Sequence, residues 1–304
     1  MHIKTTLFII FICFVSSQQA VAKKISFIVG INEYKNLSSE RQLSRAVNDA
    51  MGVAQIINDQ HGMNYLGKVM FNLTREKFNH HFISFVKKIE KNDIVFFFFS
   101  GHGVEIGGVN YLLPSDVPYQ RWDDQDYLKS ESISLEHIIN EIDRKNPRIT
   151  IIILDACRNN PFVPPEYYTK GFGNLSNGLN TNSSPPEGMF IMYAASSKMV
   201  ARDKTSSDDK SKYSVFTRHL LPLLKQPGLS ISELATTVRE QVIRFAKENG
   251  FKQRPAYRDE LSTTKFCLNG CENVPEKYNG DHRATNNNFY DPLVQEAIEE
   301  FNKM

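Results

Sequence analysis

The chain has 304 residues, 41% hydrophobic and 23% charged, a composition that supports a globular core and excludes disorder, collagen and a polytopic membrane protein. Its 36 Lys and Arg against 34 Asp and Glu leave a formal charge of +2, so net charge recruits neither nucleic acid nor anionic lipid. The four cysteines take their meaning from compartment and position.

Met1 to Lys4 is weakly basic, Leu7 to Val15 is an unbroken apolar run, and Ala20-Val21-Ala22 has the small-x-small form of a signal-peptidase site. Residues 1–22 therefore read as a secretory signal, and a secreted or periplasmic location is expected; polar Ser16 to Gln19 makes the apolar run too short for a membrane anchor. Cys13 belongs to that segment, which leaves Cys157, Cys267 and Cys271. The expected organisation is a signal at 1–22, one catalytic domain at 23–270 and a polar tail at 271–304 carrying the run Asn286-Asn287-Asn288.

Strand and helix patterns then alternate. Ile25 to Ile31 suits a buried strand, and Ser44 is expected to cap a helix that buries Val47, Ala50, Met51, Ala54 and Ile57. Gly67 to Phe71 is a weaker strand, followed by a helix opening at Thr74 with Phe78, Phe82, Phe85, Val86 and Ile89 inward. Asp93 to Phe99 (DIVFFFF) is continuously apolar, which means a strand covered on both faces. Val104 to Leu113 reads as a hairpin around Gly107-Gly108, Ser134 to Asp143 as a short amphipathic helix, and Arg148 to Leu154 (RITIIIL) as a second fully buried strand. Residues 158–188, with five prolines and four glycines, form a long loop. Met189 to Ala194 resumes a strand, a charged loop covers 197–212, helices are expected at 215–224 and 231–246, and Lys265 to Leu268 is a candidate edge strand. This order implies an α/β sandwich with a mostly parallel sheet.

The two most buried strands each end in a reactive cluster: Ser100-Gly101-His102-Gly103 and Asp155-Ala156-Cys157-Arg158. Sites in open α/β sheets form beyond the carboxyl ends of strands, so adjacent strands would bring His102 and Cys157 to one edge. A thiol needs a nearby imidazole to act as a thiolate near neutral pH, and that imidazole then protonates the leaving group. Gly103 can offer its N–H to a developing oxyanion beside the N–H of Cys157. Taken alone, Cys157 suits an inert core thiol and His102 a turn residue; together, at two strand ends, they favour catalysis.

Rival motifs fail on context. Gly101-x-Gly103 continues into a hairpin with Ile at 106, which is not a dinucleotide fingerprint. A Cys-based phosphatase loop needs Arg at 163, where Val stands, and the sequence has neither HExxH nor a Gly-Lys-Ser/Thr loop. Cys267-x3-Cys271 lacks the second pair that structural zinc requires and suits a small disulfide, leaving Cys157 as the odd thiol.

GINEY near the start, AVNDA on the first helix, SGHG, GVNYLLPSD and LDACRNNPF, in that order from about Lys24 to Leu268, resemble the caspase-like cysteine peptidases, in particular the bacterial caspase and metacaspase-like branch. The resemblance implies a three-layer caspase–haemoglobinase α/β sandwich whose mostly parallel central sheet is flanked by helices, and cysteine endopeptidase activity on protein or peptide substrates. It assigns His102 as general base and acid, Cys157 as nucleophile, and the N–H groups of Gly103 and Cys157 as the oxyanion hole. Asp155 would lie at the mouth of the first substrate pocket, with Ser100 and Asp49 matching the other pocket residues of metacaspases, and a carboxylate there selects Arg or Lys. Against these pocket roles stand a strand-end residue for Asp155 and an exposed helical carboxylate for Asp49.

Many metacaspases use calcium, for which Asp116, Asp123, Asp124 and Asp126 are candidate ligands, although Pro164 stands near the place of the usual Asp after the nucleophile. No other cofactor is implied. Arg202-Asp203 is expected near the pocket, where an inward Arg202 would oppose a basic substrate. Lys170 in the 158–188 loop is a candidate processing site, with flexibility as the other explanation of that loop. The alternative function is a catalytically quiet caspase-like module that binds protein.

Overall fold

The computed structural model describes residues 22–59, 63, 65–119, 124–156, 185–196, 199–262 and 265–271. In chain order its first half comprises β1 (Lys24–Gly30), α1 (Ala46–Ile57), β2 (Leu66–Phe71), α2 (Arg75–Val86), β3 (Ile94–Gly101), β4 (Gly103–Ile106) and β5 (Val109–Leu112). There follow α3 (Gln125–Glu131), β6 (Ile133–Ser134), α4 (Leu135–Asp143), β7 (Ile149–Ala156), β8 (Met189–Tyr193), α5 (Thr217–Lys225), α6 (Ile231–Glu248) and β9 (Ala256–Asp259). The main sheet runs β2-β1-β3-β7-β8-β9, all parallel except β9, which pairs antiparallel with β8. A second sheet, β4-β5-β6, is antiparallel.

The runs DIVFFFF and RITIIIL became β3 and β7 because helices cover both sides of them. Every residue of either strand is buried. Alternate residues serve opposite cores: Phe96, Phe98, Ile151 and Ile153 pack with α1, α5 and α6, while Phe97, Phe99, Ile152 and Leu154 pack with α2, α4 and the hairpin. Each fully buried Phe or Ile contributes roughly 1.5–3 kcal/mol of burial free energy. Phe27 of β1 is ringed by Phe78, Phe82, Phe85 and Phe97 at centroid distances of 5.2–5.7 Å. This is the expected three-layer sandwich. Among the described residues no helix is long and apolar enough to cross a membrane.

The hairpin pairs Ile106 with Val109, so Gly107 and Gly108 are its two turn residues, at φ of +60° and +85°. Both lie in the left-handed region that a type I′ turn requires. Thr74 and Ser134 cap α2 and α4 by accepting the N–H of Lys77 and of His137. Residues 266–271 fold back on the turn before α6: Ser230 bridges Cys267, Gly228 N–H donates to the Gly270 carbonyl at 2.8 Å, and Cys267 and Cys271 form a disulfide.

Three local expectations need correction. Ser44 does not cap α1 through its own hydroxyl; the cap position is Arg45, and the carboxylate of Asp203 accepts the N–H groups of Ser44 and Arg45 at 3.1 and 3.0 Å. Met51 is 45% exposed, because α1 turns Ala50, Val53, Ala54 and Ile57 toward the sheet. The edge strand is β9, whereas 265–268 contributes only the isolated bridge at Cys267.

Candidate active site

β3 and β7 are adjacent and parallel, and their register pairs Ser100 with Asp155 and Gly101 with Ala156. His102 follows Gly101 directly. Cys157 lies outside the described residues; in the sequence it directly follows Ala156, the last residue of β7. The described ends of both strands, Gly101 and Ala156, thus lie at one edge of the sheet.

His102 is buried and held from three sides. Its backbone N–H donates to the Tyr34 hydroxyl at 2.6 Å, the Tyr34 ring lies 4.7 Å from the imidazole, and its Nε2 is 2.7 Å from the Arg41 carbonyl. A carbonyl only accepts, so Nε2 carries the proton and Nδ1 is left as the basic nitrogen. Burial lowers the imidazole pKa, opposed in part by the bond to Arg41 and the field of Asp203. The ring is therefore neutral near neutral pH. Gly101 permits this packing: a Cβ there would stand 2.7 Å from the Tyr34 hydroxyl and 2.8 Å from the Phe99 ring. In Tyr34→Phe the buried N–H of His102 loses its acceptor, a defect of about 1–3 kcal/mol. The expected outcome is a melting midpoint lowered to match, with weaker hydrolysis of any substrate that uses His102; wild-type values on both counts would contradict this role.

Gly103 opens β4. The bond from Leu113 N–H to the His102 carbonyl, 3.0 Å, makes Gly103 and Leu112 the non-hydrogen-bonded pair of the ladder. Consequently the N–H of Gly103 points away from β5, toward the free edge of the small sheet. A shallow cleft lined by Gly103, Val104, Leu112, Leu154, Ala156 and Tyr193 adjoins it.

On the α1 side of the same edge two carboxylates are buried together. Asp49 is 1% and Asp155 6% exposed. Asp49 accepts the Ser100 hydroxyl at 3.0 Å and the Ser214 N–H at 2.9 Å. Asp155 accepts the Ser214 hydroxyl and, at 2.6 Å, the Thr217 hydroxyl. All four donors are neutral. Among the described residues neither carboxylate has a cationic partner. Burial pushes Asp155 up to about 6 against the pull of Ser214 and Thr217, and burial together with the charge of Asp155 raises Asp49 well above the ordinary carboxylate range.

A family model for the caspase domain (Peptidase C14) matches residues 23–267. The chain belongs to the caspase-domain family. That family is one of cysteine peptidases, which act on protein or peptide substrates. Among solved structures the chain is similar to the crystal structure of caspase-1 from Spodoptera frugiperda, with a TM-score of 0.57, 13% identity, and coverage of 84% of this chain and 92% of that one. At that identity the likeness speaks to the fold. No curated protein matches by sequence.

Within this caspase domain, Asp49, Ser100 and Asp155 lie together at the edge that also carries His102. Asp49 is no exposed helical carboxylate. The residues of this cluster that sequence reasoning missed are Ser214, at the end of a charged loop, and Thr217, the first residue of α5, with nothing in the letters to mark them. Arg202 does not reach toward Asp49 and Asp155: it is exposed, and its guanidinium stacks 4.6 Å over the Phe251 ring. Asp203 faces the start of α1 and acts on Asp49, Asp155 and His102 through its field.

Three of the four candidate calcium ligands lie among the described residues. Asp116 accepts the Arg75 N–H at 2.8 Å, Asp124 caps α3 through the Tyr127 N–H, and Asp126 pairs with Lys129. Asp123, like Lys170 and Pro164, lies outside the described residues. Among the described residues no three His, Cys, Asp or Glu side chains are grouped as a metal site would require.

Proposed function

We propose that the chain is a cysteine endopeptidase that uses a His102–Cys157 dyad and cleaves after Arg or Lys. The observation that carries the specificity is the buried pair Asp49 and Asp155, held by neutral donors and, among the described residues, lacking a cation. Two carboxylates are unfavourable in a desolvated site when both are ionised, and either a proton or a positive charge relieves them. A substrate guanidinium or ammonium supplies that charge, while an acidic side chain is repelled.

The chemistry follows from His102. Its Nε2–H is occupied by the Arg41 carbonyl, and Nδ1 takes the proton of the Cys157 thiol. The thiolate attacks the carbonyl carbon of the basic residue, and the oxyanion collects the N–H groups of Gly103 and Cys157. Collapse breaks the C–N bond as His102 returns the proton to the leaving amine. Water, deprotonated by the same imidazole, then cleaves the thioester and regenerates the thiol.

A peptide library varied at the residue before the scissile bond tests this reading. Cleavage confined to Arg and Lys peptides is the expected result, and cleavage mainly after Asp overturns the pocket assignment. Absence of hydrolysis, together with slow alkylation of Cys157 that is indifferent to His102, identifies a quiet binding module instead.

A further inference from the structure

The described residues between β8 and α5 are largely polar and lack regular structure, yet some of their side chains are as buried as the core. Asp209, in its middle, has a side chain only 5% exposed, and the two guanidiniums upon it, Arg45 and Arg218, are 7% and 16% exposed. One oxygen of Asp209 accepts from Arg45 Nη1 and Arg218 Nη2, both at 2.8 Å, and from the N–H and hydroxyl of Thr205 at 2.9 and 3.0 Å. The other accepts the Ser211 N–H at 3.1 Å. Loops ordinarily leave such groups in water. Burying three charges here needs a reason.

The guanidiniums show what the cluster holds. Arg45 immediately precedes α1, the helix that carries Asp49, and Arg218 lies on α5 beside Thr217. Arg45 donates to the carbonyls of Asp203, Asp209 and Tyr213 at 3.0, 2.8 and 3.3 Å. Arg218 donates to the carbonyls of Tyr213 and Ser214 at 3.0 and 3.1 Å. The backbone is thus gripped at and just before Ser214, whose N–H binds Asp49 and whose hydroxyl binds Asp155.

We propose that Asp209 is a positioning residue for the basic pocket: through Arg45 and Arg218 it places Ser214 between Asp49 and Asp155. It has a second effect on the same pocket. Arg45 and Asp49 are four residues apart at the start of one helix, a spacing at which side chains meet. Held by Asp209, the Arg45 guanidinium stays off Asp49; released, it competes with the substrate for that carboxylate.

This inference rests on the reading of the pocket as one for basic side chains, and its test separates the two. Full-length Asp209→Asn, Asp209→Glu and Ser214→Ala are compared with wild type for KM and kcat on an arginyl peptide, for the rate at which iodoacetamide alkylates Cys157, and for thermal midpoint. A pocket displaced by the order of 1 Å predicts KM raised about tenfold or more in Asp209→Asn and Ser214→Ala. In Asp209→Asn the kcat and the alkylation rate stay within about twofold of wild type, because iodoacetamide needs the dyad and not the pocket, and Asp209→Glu recovers most of the loss. Wild-type KM in a folded Asp209→Asn overturns the proposal, as does a parallel fall in KM-independent alkylation, which marks general loosening. Should Asp209→Asn fail to fold, an unchanged KM in Ser214→Ala overturns it equally. Failure of wild type to prefer Arg and Lys peptides instead overturns the pocket reading itself.

Discussion

His102→Ala is expected to lower kcat/KM on an arginyl peptide by about 10³-fold, in the range that loss of a general base and acid produces. The structure gives the reason in one residue: a buried, neutral imidazole whose Nε2–H is committed to the Arg41 carbonyl, leaving Nδ1 to act. The same substitution should slow alkylation of Cys157 at neutral pH and move its pH dependence up toward an ordinary thiol near about 8.5. With Cys267 and Cys271 bonded to each other, Cys157 is the thiol to follow once residues 1–22 are absent. Alkylation rates that do not depend on His102 would refute the dyad. Because burial lowers the His102 pKa, the acid limb of alkylation is expected below the ordinary imidazole value of 6.5.

The second large effect is expected from Asp155→Asn, and it has opposite signs for activity and for stability. Removing one carboxylate from a desolvated charge pair with the substrate weakens recognition by about 3 kcal/mol, so kcat/KM on Arg and Lys peptides should fall about 10²-fold. In the free protein the same carboxylate opposes folding when ionised. Its pKa is about 6 in the folded state against 3.8 ordinarily, so its favourable contribution is complete below about pH 4 and is lost as pH rises through 6. At pH 7.5 the loss amounts to about 3 kcal/mol. Asparagine removes that titration while its amide oxygen still accepts from Ser214 and Thr217, both of which bond a single oxygen of Asp155. The variant should therefore melt several degrees higher than wild type at pH 7.5 and no higher at pH 4. A variant that retains full turnover of Arg substrates refutes the pocket, and a lower midpoint at pH 7.5 refutes the electrostatic account.

The central strands and the ends they carry were legible because continuous apolar runs admit one interpretation, burial on both faces, and because Ser100-Gly101-His102 and Asp155-Ala156-Cys157 follow them at once. The hairpin glycines were legible from their backbone demand. What stayed hidden was the support for the site. Ser214, Thr217, Arg45 and Asp209 sit in stretches whose polarity suits solvent as well as a buried network, and only their long-range partners distinguish the two. The cap of α1 illustrates this: Ser44 has the right chemistry for the role, but Asp203, 159 residues later, performs it. β9 escaped notice because Ala256–Asp259 (AYRD) has none of the apolar continuity of the inner strands.

The pairing of β3 with β7 has a consequence for how tightly activity is tied to correct folding. Side chains alternate along a strand, so a slip of β7 by one residue would send Asp155 to the α2 and α4 side and bring Ala156 against Ser100. A slip by two residues would restore the facing but carry Asp155 along the strand by roughly 6–7 Å, beyond reach of Ser214 and Thr217. Either misregistered chain retains nearly all of its apolar burial and loses the joint placement of Asp49 and Asp155 on which the proposed selectivity depends. If the proposed selectivity for basic residues holds, it would serve as a sensitive reporter of register at the centre of this sheet, one that bulk stability measurements would not match.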